Sequence, residues 1–181
     1  MAEHLPRPAE PLLLTDVHGN RVPIGRDAGR PVVLSFFREA SCPYCNFRIY
    51  ELTNNVPQLG KGRVELVAVL ASTEDEVRRF LLQRERPITF VADPDLDAFE
   101  TYGVAREGAL SKLKALLRRL PALLRGYRLR EGEGPKARDS RIIPADFLID
   151  ADGRVVDEYY GEDIGDHIAI ERIQQFVHRA V

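Results

Sequence analysis

The chain has 181 residues, of which 44% are hydrophobic and 30% charged, so we expect one folded domain over residues 1–181. A formal net charge of −2 argues against nucleic-acid binding. The chain shows neither a run of about 18 apolar residues nor an apolar leader, so we expect no membrane span and no signal peptide. Two cysteines are too few for a secreted disulfide scaffold, and we therefore expect a cytoplasmic protein.

The N-terminal part of the chain predicts a β-hairpin and then a buried strand. Residues 12–14 and 22–24 form short apolar segments around a turn signal, and they predict the hairpin. Residues 32–37 are an apolar run with the length of a central strand. A helix is then expected to begin near Cys42, with Pro43 tolerated in its first turn.

The middle of the chain alternates strand and helix patterns. Residues 64–70 and 88–91 predict two more buried strands. Between them Thr73 and Glu76 have the spacing of a capping box, which marks the start of a helix. Parallel strands that are joined by helices need both faces of their sheet covered, so this order predicts an α/β fold.

The C-terminal part contains a basic insertion. Residues 106–141 hold eleven basic and four acidic residues, with leucines at helical spacing that Pro121 is expected to divide into two helices. We expect these leucines to pack on the parent domain or on a second subunit, although a basic amphipathic helix can also bind an anionic membrane. Residues 147–149 and 155–160 predict a last hairpin, and residues 173–180 predict a closing helix.

The two cysteines stand three apart in Ser41-Cys42-Pro43-Tyr44-Cys45, where the central strand gives way to a helix. Unpaired N–H groups and the helix dipole favour a thiolate at such a helix start, and the thiolate is the nucleophilic form of cysteine. Structural zinc needs four ligands, and the four histidines supply no suitable pair, so no metal is predicted. Cys45 shares the inward stripe of the helix, whereas Cys42 lies off it at the tip. The motif predicts redox chemistry, with an inert buried pair as the alternative.

Two landmarks of the sequence together resemble a known family. They are the Cys-x-x-Cys with Phe36-Phe37 before it, and the run Pro144-Ala145-Asp146-Phe147-Leu148-Ile149-Asp150. The chain resembles the thioredoxin fold and, more narrowly, the peroxiredoxin-like redoxins, also called alkyl hydroperoxide reductase and thiol-specific antioxidant proteins. The resemblance implies a thioredoxin-like three-layer α/β sandwich, with an N-terminal β-hairpin and a helical insertion before the last hairpin.

The same resemblance implies roles for individual residues. Cys42 matches the exposed attacking cysteine, and Cys45 matches the buried resolving cysteine. Pro144, after Ile143, matches a cis-proline that lies against the disulfide and offers backbone groups to a substrate. The alternative is a trans proline at the start of a strand. Independently of the resemblance, Arg38 and Glu39 lie between strand and helix, so either could face the site. Arg38 is expected to steady the thiolate, with solvated loop charges as the alternative for both residues.

A second register follows from true peroxiredoxins, whose motif is Pro-x-x-x-Thr/Ser-x-x-Cys. In that register Cys45 is the attacking cysteine, Cys42 takes the Thr place and Arg38 takes the Pro place. The hydroxyl that binds the peroxide is then missing, which argues against fast peroxide reduction.

The resemblance implies a thiol–disulfide oxidoreductase or a thiol-dependent peroxidase of antioxidant type, without a cofactor. Its substrate would be a peroxide or a disulfide, and its reductant an external dithiol of thioredoxin or glutathione type. Two alternatives stay open. One is a redox-switched binding module that docks a partner or a membrane through residues 106–141. The other is an iron–sulfur protein, because Cys-Pro-Tyr-Cys also resembles the glutaredoxin motif. The sequence does not decide between a monomer and a homodimer, and it favours a helix-capping Asp166 beside an ordinary His167 over a catalytic histidine.

Overall fold

The computed structural model describes residues 5–55, 63–104, 119–129 and 142–180. Its strands are β1 (Arg7–Pro8), β2 (Leu12–Thr15), β3 (Arg21–Ile24), β4 (Val32–Phe37), β5 (Glu65–Leu70), β6 (Thr89–Ala92), β7 (Ala145–Ile149) and β8 (Arg154–Tyr160). Its helices are α1 (Pro43–Asn55), α2 (Glu74–Leu81), α3 (Asp97–Thr101), α4 (Leu120–Leu129) and α5 (Ile170–Arg179).

Six of the strands form one mixed sheet in the order β1-β8-β7-β4-β5-β6. The central strand β4 pairs in parallel with β5 and antiparallel with β7, and all six of its residues are buried. Its carboxyl end therefore opens in the middle of the sheet edge, where the chain turns into α1. This is the position that the sequence predicts for the cysteine motif.

Each face of the sheet carries an apolar cluster, which gives the molecule three layers. On one face, side chains of α1, α2 and α5 pack against the sheet, including Leu52, Phe80 and Phe176. On the other face, the hairpin β2–β3 and α3 supply Val22, Ile24 and Phe99. Because alternate residues of a strand point to opposite faces, the continuous apolar run of β4 feeds both clusters. The predicted three-layer sandwich with an N-terminal hairpin is confirmed.

Most predicted elements are present within one to three residues of their expected limits. The capping box of α2 is complete, with the Thr73 hydroxyl accepting from the Glu76 N–H and the Glu76 carboxylate accepting from the Thr73 N–H. The prediction missed β1, where the proline-rich lead-in pairs with the edge strand β8. A two-residue strand with a proline gives no periodic signal, so only its partner reveals it.

Helix α4 is the described part of the basic insertion, and the rest of residues 106–141 lies outside the described residues. The helix packs on α1, with Ala122 and Leu123 turned toward the apolar cluster there. Leu120, Leu124 and Tyr127 are 47%, 57% and 49% exposed, so the expectation that the leucines pack inward holds for only part of this helix. Pro121 lies in the first turn, where its missing N–H costs no hydrogen bond. Among the described helices, none is long and apolar enough to cross a membrane.

Candidate active site

The loop from Arg38 to Ser41 joins β4 to α1 and is held in place by hydrogen bonds on both sides. The Ala71 N–H donates to the Arg38 carbonyl, and the Ala40 N–H donates to the Ser72 hydroxyl, both at 2.9 Å. From the other side, the amide of Asn46 donates to the carbonyls of Ala40, at 2.8 Å, and Cys42, at 2.9 Å. These bonds fix the cysteine motif to the end of the sheet.

Cys42 and Cys45 meet at the N-terminus of α1 as two reduced cysteines. The Cys42 carbonyl accepts the helical hydrogen bond of the Asn46 N–H at 3.0 Å, so Cys42 occupies the helix tip as predicted. The Cys45 thiol donates a hydrogen bond to the Cys42 sulfur, and the Cys45 backbone N–H also points to it. Side chains three apart on a helix are neighbours, which explains this contact.

The two thiols have opposite acidities. The hydrogen bond from Cys45 lowers the pKa of Cys42; burial opposes this effect and the charge of Arg38 supports it. Burial raises the pKa of Cys45 well above its ordinary value, and the same hydrogen bond and the negative charge on Cys42 add to the increase. The arrangement thus favours one thiolate, on Cys42, and one thiol, on Cys45.

Arg38 and Glu39 form the charged surroundings of this pair, and we call Arg38, Glu39, Cys42 and Cys45 the dithiol site. Nη1 of Arg38 lies 3.9 Å from the Cys42 sulfur, and Nη2 lies 3.9 Å from the Glu39 carboxylate. Both residues are buried, at 4% and 8% exposure, so the alternative of solvated loop charges is wrong. The Arg38 charge lowers the pKa of both thiols, whereas the Glu39 charge raises it.

Two expectations drawn from the resemblance need correction. Cys42 is only 4% exposed, so it is not an exposed attacking cysteine. Helix α4 lies against the motif, and a side chain at Gly126 of α4 would overlap the carbonyl oxygen of Pro43. Helix α4 therefore lies beside the cysteine motif, at a position that the sequence does not predict.

Pro144 also differs from its expected match, because it is not a cis-proline. Leu5–Pro6 is the cis peptide bond found in the described residues, and the Ile143–Pro144 bond is trans. Pro144 directly precedes β7, whose Ala145 pairs with Phe36, so it lies at the same sheet edge as Arg38. Its carbonyl accepts from the Gly161 N–H at 2.9 Å. A trans proline fits this extended entry to a strand because no ladder hydrogen bond is lost.

Three ionisable residues that the sequence did not single out as a site meet beneath α1, and we call Arg48, Asp146 and His167 the buried charge cluster. Nδ1 of His167 lies 3.1 Å from the Asp146 carboxylate, which also accepts the Ile168 N–H at 2.8 Å. Arg48 of α1 donates to the Ile168 carbonyl. Burial by itself would raise the pKa of Asp146, but the charges of His167 and Arg48 outweigh it and lower this pKa. The sequence contained one signal for this cluster, because Asp146 is a carboxylate within the otherwise apolar strand β7.

Asp166 does not cap a helix, which corrects the expectation for this pair of residues. Helix α5 begins later, at Ile170. The Asp166 carboxylate instead accepts from the Tyr159 hydroxyl at 2.7 Å, from the Glu162 N–H at 2.9 Å and from Arg119. In the described parts of the chain, no group of three or more His, Cys, Asp or Glu side chains could hold a metal ion.

A family model described as the AhpC/TSA family matches residues 6–158 of the chain. The chain belongs to the AhpC/TSA family. It is therefore a redoxin of the thioredoxin fold and an oxidoreductase, and the predicted family is confirmed. The match begins before β1, ends within β8 and includes the whole dithiol site.

Solved structures similar to this AhpC/TSA protein agree on the fold. A peroxiredoxin-like protein from Aquifex aeolicus superposes with a TM-score of 0.70 at 16% identity, over 97% of this chain and 86% of that one. Peroxidoxin BcpB from Mycobacterium tuberculosis superposes with a TM-score of 0.62 at 15% identity, over 97% of this chain and 94% of that one. A protein assigned as the thiol:disulfide interchange protein DsbE from Chlorobium tepidum superposes with a TM-score of 0.60 at 21% identity, over 97% of this chain and 96% of that one. No curated protein matches the chain.

Proposed function

We propose that this redoxin is a thiol-dependent peroxidase or thiol–disulfide oxidoreductase that cycles Cys42 and Cys45 between a dithiol and a disulfide. The observation that carries the proposal is the hydrogen bond from the Cys45 thiol to the Cys42 sulfur. It lowers the pKa of Cys42 and raises that of Cys45, which separates a nucleophile from a resolving thiol. This separation favours the register in which Cys42 attacks.

With a hydroperoxide, the Cys42 thiolate attacks one peroxide oxygen and the O–O bond breaks. Cys42 becomes a sulfenic acid, and the alkoxide or hydroxide that leaves takes up a proton. The Cys45 sulfur then bonds to the Cys42 sulfur, and the Cys42 hydroxyl group leaves as water with the proton from Cys45. The peroxide is reduced by two electrons, and the dithiol is oxidised to the disulfide.

With a disulfide, the Cys42 thiolate bonds to one substrate sulfur and the other leaves as a thiolate. Cys45 then loses its proton and displaces the remaining substrate thiol, which closes the Cys42–Cys45 disulfide. In both cases an external dithiol of thioredoxin or glutathione type returns two electrons by the same exchange reaction. Nη1 of Arg38, 3.9 Å from the Cys42 sulfur, stabilises the attacking thiolate at the start of each cycle.

Single-cysteine variants test this assignment. In Cys45→Ser, hydroperoxide should give a trappable sulfenic acid on Cys42, and turnover should fall because only the external dithiol can then resolve this sulfenic acid. In Cys42→Ser, neither the sulfenic acid nor turnover should appear. Full turnover of Cys42→Ser, or a sulfenic acid that forms only on Cys45, would reverse the roles.

The second candidate is a binding module whose cysteines only switch its shape. The observation in its favour is the exposed apolar stripe of Leu120, Leu124 and Tyr127 on α4. Consumption of reductant with hydroperoxide or a disulfide as oxidant separates the two. Repeated turnover supports the enzyme, whereas a single stoichiometric oxidation supports the switch.

A further inference from the structure

Helix α4 makes its closest contact with the cysteine motif at Gly126. A Cβ placed on Gly126 would overlap the carbonyl oxygen of Pro43, the residue between the attacking and resolving positions of the motif. Only glycine lets the backbone of α4 come this close. A glycine within a helix otherwise lowers its stability by about 1 kcal/mol relative to alanine, so the contact has a cost in the helix itself.

The N-terminal end of α4 is held by charge. Arg119, just before the helix, lies 3.1 Å from the buried carboxylate of Asp163 through Nε, and its Nη2 pairs with Asp166. Gly165, between these two aspartates in the chain, lies close to the side chains of Tyr44 and Arg119. A Cβ there would be 3.0 Å from the Tyr44 ring and 3.1 Å from the Arg119 side chain. Arg119 therefore attaches α4 to the loop that packs against the motif.

Between these two contacts the inner face of α4 packs on α1. Ala122 and Leu123 pack against the apolar cluster that includes Cys42, Tyr44 and Cys45. In the same cluster Cys42 is 4% exposed and Cys45 is 1% exposed. A mixed disulfide with a protein requires a whole chain segment to approach the attacking sulfur, whereas a hydroperoxide needs room for only a few atoms.

We propose that α4 is a cover over the dithiol site, and that Arg119 and Gly126 are specificity-determining residues that favour small reactants over protein-sized ones. The proposal rests on the proposed function in so far as the reactants are oxidants and thiols. In the closed arrangement, Cys42 reacts with small hydroperoxides and low-molecular-weight disulfides. Protein disulfides and protein dithiols reach it only after α4 has moved away.

Thiol labelling tests the cover directly. In a Cys45→Ser background, Cys42 is labelled with iodoacetamide, which is small, and with a maleimide that carries a polyethylene glycol chain, which is bulky. Arg119→Gln removes the ion pairs, and Gly126→Ala forces α4 away from Pro43 although alanine is the better helix former. We expect each change to raise the ratio of bulky to small labelling rates about tenfold, equivalent to about 1.4 kcal/mol.

Two variants on the outward side of the same helix are the matched controls. Arg128→Gln and Arg125→Ala change exposed residues, so the rate ratio should stay within about twofold of the parent protein. Circular dichroism confirms that each variant is folded, and if Gly126→Ala does not fold, Arg119→Gln decides the test. An unchanged ratio in folded Arg119→Gln, or an equal increase in Arg128→Gln, overturns the cover.

The labelling result is independent of turnover, so it separates the two proposals. A protein without peroxidase or disulfide turnover that still shows the expected change in ratio refutes the proposed function and keeps the cover. An active protein in which Arg119→Gln leaves the ratio unchanged keeps the function and refutes the cover. In an active protein with a cover, Arg119→Gln should also raise turnover of a protein disulfide more than turnover of hydrogen peroxide.

Discussion

Helix α1 contributes to two polar sites that lie one turn apart, and their contacts differ in kind. At the dithiol site, Arg38 lies 3.9 Å from the Cys42 sulfur and 3.9 Å from the Glu39 carboxylate. In the buried charge cluster, the Asp146 carboxylate is held at 2.8 to 3.2 Å by the Ile168 N–H and by His167. The dithiol site surrounds a group that must change its charge and its bonding, whereas the buried charge cluster holds a carboxylate in a fixed position.

This difference indicates that the two sites serve different ends. A buried carboxylate without partners is costly, so the second site must satisfy Asp146 fully to let the sheet and α1 pack together. A nucleophile that is bound too tightly would lose reactivity, and Arg38 also has Glu39 to compete for its charge. We therefore expect substitutions in the buried charge cluster to change stability, and substitutions in the dithiol site to change reactivity.

The largest expected effect is on folding. Asp146→Asn removes the charge that His167 and Arg48 face, and breaking a buried pair costs about 3–5 kcal/mol of the free energy of unfolding. Asp157→Asn is the matched control, because Asp157 pairs with Arg172 at the surface and such a pair contributes about 0–1 kcal/mol. Urea unfolding measures both. Equal losses in the two variants would contradict the distinction between the sites.

The pH dependence of stability should reflect the same carboxylate. The pKa of Asp146 is lower in the folded protein than its usual value, so its contribution to stability is present above the unfolded pKa of about 3.9. The contribution is lost as pH falls through the lower, folded pKa. Urea unfolding across the acid range should show a weaker dependence on pH in Asp146→Asn. A dependence identical to that of the parent protein would exclude Asp146 as its source.

The next effect concerns the nucleophile. Cys45→Ala removes the hydrogen bond that lowers the pKa of Cys42, and a hydrogen bond to a charged group contributes about 1.5–3 kcal/mol. We expect iodoacetamide labelling of Cys42 at neutral pH to slow by about tenfold or more. Cys45→Ser keeps a hydroxyl donor in the same place and should retain most of the rate. If the alanine variant reacts as fast as the serine variant, the hydrogen bond does not activate Cys42.

The smallest expected effects have opposite signs at neighbouring positions. Arg38→Gln removes the charge that lowers the pKa of Cys42, and Glu39→Gln removes the charge that raises it. Labelling of Cys42 at neutral pH should therefore slow in the first variant and accelerate in the second, each by severalfold. A pH titration of the labelling rate gives both pKa directions. A change of the same sign in both variants would show that packing, rather than charge, controls the thiol.

The sequence by itself determined the order of strands and helices, the place of the cysteine motif and the family. These features follow from local patterns: the apolar run of β4, the capping box of α2 and the spacing of Cys42 and Cys45. The trans peptide before Pro144 and the pairing of β1 with β8 depend on neighbouring strands, so no local pattern contained them.

Only the tertiary structure decided how the two sites are surrounded. Arg48, Asp146 and His167 come from a helix, a strand and a loop, and the fold brings them together because satisfying one buried carboxylate needs partners from several elements. Likewise, Gly126 and Pro43 are far apart in the chain, and their contact brings α4 against the cysteine motif. Chain segments distant in sequence bury both thiols, and this burial is the main cause of the raised pKa of Cys45.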